Sequence, residues 1–243
     1  VDTIALVTGA NKGLGLETVK QLAAKGMTVL LGSRSLDRGQ AAAASLVEAG
    51  LNVEAVQLDV TSDRDIQSLR NLIEERYGKL DVLVNNAGIL QGETLGANSV
   101  LTVSAEDVKS TFDTNFFGAL RLSQVLMPLL QKSPAARIVN VSSILSSLTL
   151  HASPGSVVGH SKPLGYNASK AALNMLTLHL ADALRETNIK VNSAHPGWVK
   201  TELGGANAPM RPESGVRTIV QLATLPDVGP SGKLIHVNRE IPW

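Results

Sequence analysis

Cysteine is absent from the 243 residues. Disulfide scaffolding, thiolate catalysis and thiolate metal ligation are therefore excluded. A surplus of either charge is absent too: 22 Lys plus Arg face 21 Asp plus Glu, a formal charge of +1. Nothing in that balance argues for nucleic acid or a charged membrane surface as partner. No apolar run reaches the roughly 18 residues that a membrane-spanning helix needs. Val1-Asp2-Thr3 leads straight into a strand-like run, without the basic and then apolar pattern of a secretory leader. These features point to a soluble, cytoplasmic protein. Linkers, repeats and low-complexity tracts are also missing. With 44% hydrophobic residues, residues 1–243 are expected to form one α/β domain with a full core.

What is present begins with Ile4-Ala5-Leu6-Val7-Thr8, a run suited to a buried strand, followed by Gly9-Ala10-Asn11-Lys12-Gly13-Leu14-Gly15. Leu16, Val19, Leu22 and Ala23 then recur at helical spacing. Strand, tight turn and helix in this order set backbone N–H groups and a helix N-terminus against a pyrophosphate. The spacing is G-x-x-x-G-x-G rather than the tighter dinucleotide fingerprint, and glycines also make ordinary turns. Context decides. Strands over 4–8, 28–33, 53–58 and 81–85 alternate with helices over 14–24, 36–49 and about 61–77. The third strand alternates enough to suit a sheet edge. A long helix after Ser104 runs to about Leu130, broken near Met127-Pro128; strands over 137–142, 190–194 and 233–237 and helices over 166–187 and 212–225 complete the chain. The alternation predicts a Rossmann-type, doubly wound parallel sheet of seven strands with helices on both faces. Residues 89–104, 146–165 and 201–211 read as loops, the second long enough to be functional.

The tip of the second strand reads the adenosine ribose in such folds, an acid favouring NAD and an Arg favouring the 2′-phosphate of NADP. Here the tip is Gly32-Ser33-Arg34, with no acid, and Lys12 lies in the glycine turn. Lys12, Ser33 and Arg34 are expected to converge on that phosphate, Arg offering the fork that suits its oxygens. Asp37 competes for the ribose. Asp59-Val60 follows the third strand, where Asp59 suits the adenine amino group. Asn85-Asn86-Ala87-Gly88 follows the fourth, where small residues let backbone lie near a cofactor.

Tyr166-Asn167-Ala168-Ser169-Lys170 sets a phenol and an ammonium four apart, on one helix face. A cation beside the phenol stabilises phenolate, so Lys170 is expected to lower the proton affinity of Tyr166. Tyr166 then serves as general acid towards a carbonyl, and as base in reverse. Ser143, after the fifth strand, is placed to donate to the substrate oxygen. Ser142, its neighbour, should face the other way by strand alternation. His151, His160 and His195 are candidates for pocket polarity, but their scatter gives no metal signature, and His195, ending a strand beside Pro196, reads as structural.

Together these residues resemble the short-chain dehydrogenase/reductase family, and within it the NADPH-dependent carbonyl reductases. The likeness is carried by Thr8-Gly9-x-x-x-Gly13-x-Gly15, Asp59, Asn85-Asn86-Ala87-Gly88, Asn115, Ser143, Tyr166-x-x-x-Lys170 and Pro196-Gly197 with Thr201, in order over nearly the whole chain. The resemblance implies that Asn115, Ser143, Tyr166 and Lys170 are catalytic, Asn115 holding a water that links Lys170 to solvent. It implies that NADP(H) is held by Gly9, Asn11, Lys12, Gly13, Leu14, Gly15, Ser33, Arg34, Asp59, Val60, Asn86, Ala87, Gly88, Pro196, Gly197, Val199 and Thr201, together with Tyr166 and Lys170. The substrate is a small ketone, aldehyde or quinone of apolar or mixed character, since Leu90, Leu95, Leu145, Leu148, Leu150, Val157, Val158 and Leu203 line the three loops. The competing readings are an NAD-linked secondary-alcohol dehydrogenase and a non-catalytic dinucleotide-binding protein; the second needs a broken Ser–Tyr–Lys set, and this set is intact.

Two departures from the family stand out. Ser143 and Tyr166 are 23 positions apart, where the family commonly has about a dozen residues between them. Carbonyl reductases with longer insertions here obstruct the helix used for tetramer assembly, so a monomer or homodimer is expected over a tetramer. The tail His236-Val237-Asn238-Arg239-Glu240-Ile241-Pro242-Trp243 replaces the family's Asp-Gly-Gly, and Trp243 packs on the body or reaches a substrate pocket.

Overall fold

The structure, a computed structural model, describes residues 2–243. Strands β1 (Ile4–Val7), β2 (Thr28–Ser33), β3 (Val53–Gln57), β4 (Val82–Asn85), β5 (Arg137–Val141), β6 (Lys190–Ala194) and β7 (Leu234–His236) are all parallel. The sheet order is β3-β2-β1-β4-β5-β6-β7-β8, with β3 at one edge. The order reverses between β1 and β4, which opens a crevice at their carboxyl ends.

Strand alternation divides the core. Ile4 and Leu6 of β1 join Leu30, Leu83 and Ile138 on one face, while Ala5 and Val7 join Val29, Leu31, Val84 and Val139 on the other. Helices α1 (Gly13–Ala23) and α2 (Leu36–Glu48) cover the second face, and α3 (Asp63–Tyr77) the first. Covering both faces explains why these strands are near-continuous apolar runs. The chain continues through α4 (Ala105–Phe112), α5 (Gly118–Leu130), α6 (Leu148–Ala152), α7 (Leu164–Ala183), α8 (Pro212–Gly215) and α9 (Arg217–Ala223).

Several expectations are corrected. The helix after Ser104 does not break at Pro128, which lies inside α5. Pro128 and Gln124 are both exposed, so the carbonyl that loses its donor meets water. The interruption lies earlier, a π-turn over Asp113–Phe117 between α4 and α5 that carries Asn115. The 146–165 stretch is not all loop: it holds a 3₁₀ turn ending at Ser146 and the short α6, each started by a serine cap. The helix carrying Tyr166 begins two residues earlier, at Leu164, and ends at Ala183 rather than near Thr187. The expected 212–225 helix is two pieces, α8 and α9.

An eighth strand, β8 (Arg239–Glu240), pairs antiparallel with β7, so the sheet has one strand more than expected. The hairpin turn puts Val237 (φ 43°) and Asn238 (φ 65°) in the left-handed region. Turns of this kind are signalled by Asn-Gly or Asp-Gly. A β-branched valine gave no such signal, and it adopts the conformation only under strain.

Candidate functional site

The glycine turn after β1 is built to receive an anion. Gly9 (φ 59°) and Gly13 (φ 57°) adopt backbone conformations that side chains resist. A Cβ on Gly15 would lie 2.6 Å from the Gly9 carbonyl oxygen and 2.7 Å from Ala10 Cα. One on Gly9 would meet Ala87 Cα at 2.9 Å. The turn is thus pressed onto the segment after β4. The Thr8 hydroxyl accepts the N–H groups of Asn86 (3.0 Å) and Ala87 (2.9 Å), and Asn86 Nδ2 donates to the Thr8 carbonyl at 2.8 Å. Serines 35, 62 and 104 cap α2, α3 and α4, but α1 has no side-chain cap and no acid in its first turn. Its first N–H groups and the positive end of its dipole therefore suit a phosphate. The turn also carries Asn11 and Leu14, both half-buried, Leu14 packing towards the core.

Thr201 closes the other side, its methyl 3.4 Å from where a Gly13 Cβ would stand, while its hydroxyl accepts Gly204 N–H at 3.0 Å. Gly197 (φ 91°) could carry no side chain, because a Cβ would meet Met210 Sδ. Val199 is buried against Gly215, and Pro196, itself buried, sits between buried His195 and Gly197, so these two shape the wall.

At the ribose end the expected trio has different local partners. Arg34 is exposed, and its guanidinium has no protein partner among the described residues. Ser33 is buried, and its hydroxyl donates to the Ser35 carbonyl at 2.8 Å. The ammonium of Lys12 is paired with Glu202 across the mouth of the turn. Arg38, outside the expected set, is exposed and also without a protein partner in the first turn of α2, whose N-cap Ser35 accepts its N–H. Asp59 uses Oδ1 to accept the Thr61 N–H (2.9 Å) and hydroxyl (2.7 Å). Val60 is buried against Gly118, where a Cβ would come within 2.7 Å of its methyl.

The chemical residues gather at the crevice. Tyr166 and Lys170 are both buried on α7, with the ammonium 5.7 Å from the phenol ring centroid. Lys170 Nζ donates to the Val141 carbonyl at 2.7 Å and lies 3.4 Å from where a Gly88 Cβ would stand. Ser143 stands beside the Tyr166 phenol, near enough to favour its ionised form, and its hydroxyl accepts Leu145 N–H at 3.1 Å. Burial lowers Lys170 to about 8 and raises Tyr166 to about 12, the Ser143 contact acting slightly against the latter. That direction is opposite to the one expected from Lys170, because desolvation by burial is the largest cause. Asn115, 1% exposed, spends its amide on Ile89, accepting its N–H at 2.8 Å and donating to its carbonyl at 3.0 Å, and on Ser169 Oγ at 3.0 Å. Its side chain is thus committed to protein partners.

Sequence reasoning missed Asn174 among the residues that hold these groups in place. Asn174, one turn beyond Lys170, accepts from the inward-facing Ser142 at 2.7 Å and donates to Ser146 at 2.6 Å, tying both sides of Ser143 to α7. The spacing 166, 170, 174 was its signal. His195 accepts Ile144 N–H at 3.2 Å through Nδ1, and burial keeps it neutral, lowered to about 3. His151 Nε2 meets the Leu145 carbonyl at 2.9 Å, which fastens α6 to the same loop. Thr149 N–H donates to a main-chain oxygen of Trp243 at 2.9 Å, so the tail lies on the body at α6. Of the apolar loop residues, Val158 is buried, whereas Leu148 and Val157 are exposed. No group of three or more His, Asp or Glu able to hold a metal occurs among the described residues, and no helix is long and apolar enough to cross a membrane.

The family model described as short chain dehydrogenase matches residues 3–212. Short-chain dehydrogenase/reductase 1 of Saponaria officinalis is 34% identical, over 98% of this chain and 95% of that protein. NADPH carbonyl reductase 1 of Mus musculus is 34% identical, over 99% and 98%. An NADPH-bound carbonyl reductase from chicken fatty liver superposes with a TM-score of 0.85 at 30% identity, covering 100% of this chain and 99% of that one.

Proposed function

The chain belongs to the short-chain dehydrogenase family, and from that premise we propose that it is an oxidoreductase reducing the carbonyl of a small ketone, aldehyde or quinone with NADPH. The observation that carries the reading is the burial of Tyr166 and Lys170 on one face of α7, with Ser143 against the phenol and Gly88 opening the crevice beside Lys170. The glycine cradle and the uncapped α1 fit a dinucleotide pyrophosphate. Bound there, the reduced cofactor supplies the hydride. Tyr166 gives its proton to the carbonyl oxygen, and Ser143 donates to the same oxygen, so both strengthen their hold as negative charge develops. Lys170 positions the nicotinamide ribose and replaces the charge that Tyr166 releases. Asn115 fixes Ile89 beside this cluster, and residues 1–243 act as a single catalytic domain. The test is a panel of ketones, aldehydes and quinones assayed with NADPH and NADH; an enzyme that turns over only secondary alcohols with NAD overturns it.

NADPH preference rests on Arg34, with Arg38 in the first turn of α2, and on the lack of an acid at the tip of β2. A charge-assisted phosphate contact contributes about 1.5–3 kcal/mol. Arg34→Ala is expected to raise KM for NADPH at least about tenfold while leaving KM for NADH nearly unchanged. Steady-state titration of both cofactors measures this, and equal effects on the two would refute it.

The protein is further proposed to be a monomer or homodimer. The 146–165 insertion lies against the start of α7, where Asn167 Nδ2 donates to the Ser161 carbonyl at 3.2 Å and Lys162 Nζ meets His151 Nδ1 at 3.2 Å. Such a fastened insertion stands in the way of a second helix packing there. Sedimentation at micromolar concentration is expected to show no tetramer.

A further inference from the structure

Helix α7 has an unusual beginning. Its N-cap is Pro163, which offers neither an N–H nor a capping side chain. The first-turn N–H groups are nevertheless satisfied, all by the 89–104 loop. Ser99 Oγ accepts Leu164 N–H at 2.9 Å. Glu93 accepts Gly165 N–H at 3.2 Å through Oε1 and Tyr166 N–H at 3.1 Å through Oε2. Ser99, itself buried, also donates to the Glu93 carboxylate. A cap from a distant loop does the work that a residue preceding the helix normally does.

The loop is held on both sides of this contact. Lys162 N–H donates to the Ala97 carbonyl at 2.9 Å and Ser99 N–H to the Lys162 carbonyl at 3.3 Å. Towards the crevice, Gln91 N–H donates to Thr111 Oγ1 at 3.3 Å and Ile89 is clamped by Asn115. The carboxylate also requires a small neighbour: a Cβ on Gly165 would lie 2.9 Å from Glu93 Oε2, with Val108 atoms next at 3.4 Å. Glu93 and Gly165 thus form one fitted unit, and the N–H that Glu93 holds belongs to Tyr166 itself.

We infer that Glu93 is a positioning residue for the reaction: its bidentate hold on Gly165 and Tyr166 fixes the first turn of α7 and so sets the phenol against Ser143. First turns fray when their N–H groups have no partner. Tyr166, unlike Lys170, stands within that turn. A displacement of about 1 Å at a reacting group can cost on the order of 100-fold in rate. A carboxylate at a helix N-terminus is favoured by the helix dipole as well as by its hydrogen bonds. The inference rests on Tyr166 being the proton donor.

The test is steady-state reduction of a reactive ketone, with rates expressed per folded enzyme and NADPH affinity from fluorescence titration. Glu93→Ala is expected to lower kcat about 10- to 30-fold with NADPH affinity within about twofold of wild type. Gly165→Ala, which pushes the carboxylate aside, should lower kcat by a smaller factor, about fivefold. Added to Glu93→Ala it should cost almost nothing more, because the atom it collides with is gone. This non-additivity marks a shared contact. If Glu93→Ala does not fold, Gly165→Ala and Glu93→Gln carry the test; the amide turns one acceptor into a donor facing an N–H and should also lower kcat. An unchanged kcat with only a lower melting temperature, or losses that simply multiply, overturns the inference. Tyr166→Phe is run alongside: if it keeps the wild-type rate, the reading beneath fails, and if it is inactive while Glu93→Ala is normal, only the role of Glu93 fails.

Discussion

Tyr166→Phe is expected to lower ketone turnover about 10²- to 10⁴-fold, the range over which a positioned general acid acts. The ring is 8% exposed and remains packed in the variant, so the change removes one oxygen and little else. That oxygen is the group beside which Ser143 stands. Without it Ser143 still caps the turn at Leu145, and one donor remains for the developing oxyanion in place of two. Burial raises the phenol to about 12, so at neutral pH the side chain carries its proton and is ready as an acid. The glycine cradle lies on other elements, so NADPH affinity should change by less than about threefold. Steady-state rates with cofactor titration check both expectations, and a near wild-type rate would remove Tyr166 from the mechanism.

The sheet and its order of elements were legible because parallel strands buried on both faces leave near-continuous apolar runs, as in Val82-Leu83-Val84 and Val29-Leu30-Leu31. The glycine turn was legible because its constraint is local: the left-handed backbone of Gly9 and Gly13 favours glycine over other residues. Tyr166 and Lys170 were legible through helical spacing, and Asn174 carries the same signal one turn further. Groups that act across long separations were not. Glu93 meets Tyr166 over 73 positions and His195 meets Ile144 over 51, and neither has a spacing that marks it. Ser33 shows a local competition that the sequence does not display: its hydroxyl, at the strand end expected to meet a phosphate, donates to the Ser35 carbonyl in the structure. The π-turn around Asn115 was equally hidden, since 3.6-residue periodicity does not register one inserted residue.

Lys170→Met is expected to make the cofactor-free protein more stable and the enzyme far less active. Lys170 is 3% exposed, with one protein acceptor, the Val141 carbonyl. Burial lowers it from 10.5 to about 8. The folded state therefore binds its proton less readily than the unfolded state does. The consequence for stability follows in sign: between pH 8 and 10.5 the unfolded chain holds more protons, so stability rises with pH across that window. Below about pH 8 the full penalty of the buried ammonium is present, on the order of 2–3 kcal/mol before the Val141 hydrogen bond offsets part of it. Methionine fills similar space without a charge, so at pH 7 the variant should melt several degrees higher, and the advantage should disappear towards pH 10.5. Calorimetry from pH 7 to 10.5 on both proteins reads this directly, and a variant that melts lower at pH 7 would contradict it. Activity should move the other way, by about 10²-fold or more, because nothing then compensates the charge that Tyr166 releases or holds the nicotinamide ribose. NADPH affinity should fall as well, unlike in Tyr166→Phe, since Lys170 faces the crevice beside Gly88. A cation kept where it destabilises the fold is what a site selected for chemistry rather than for stability contains.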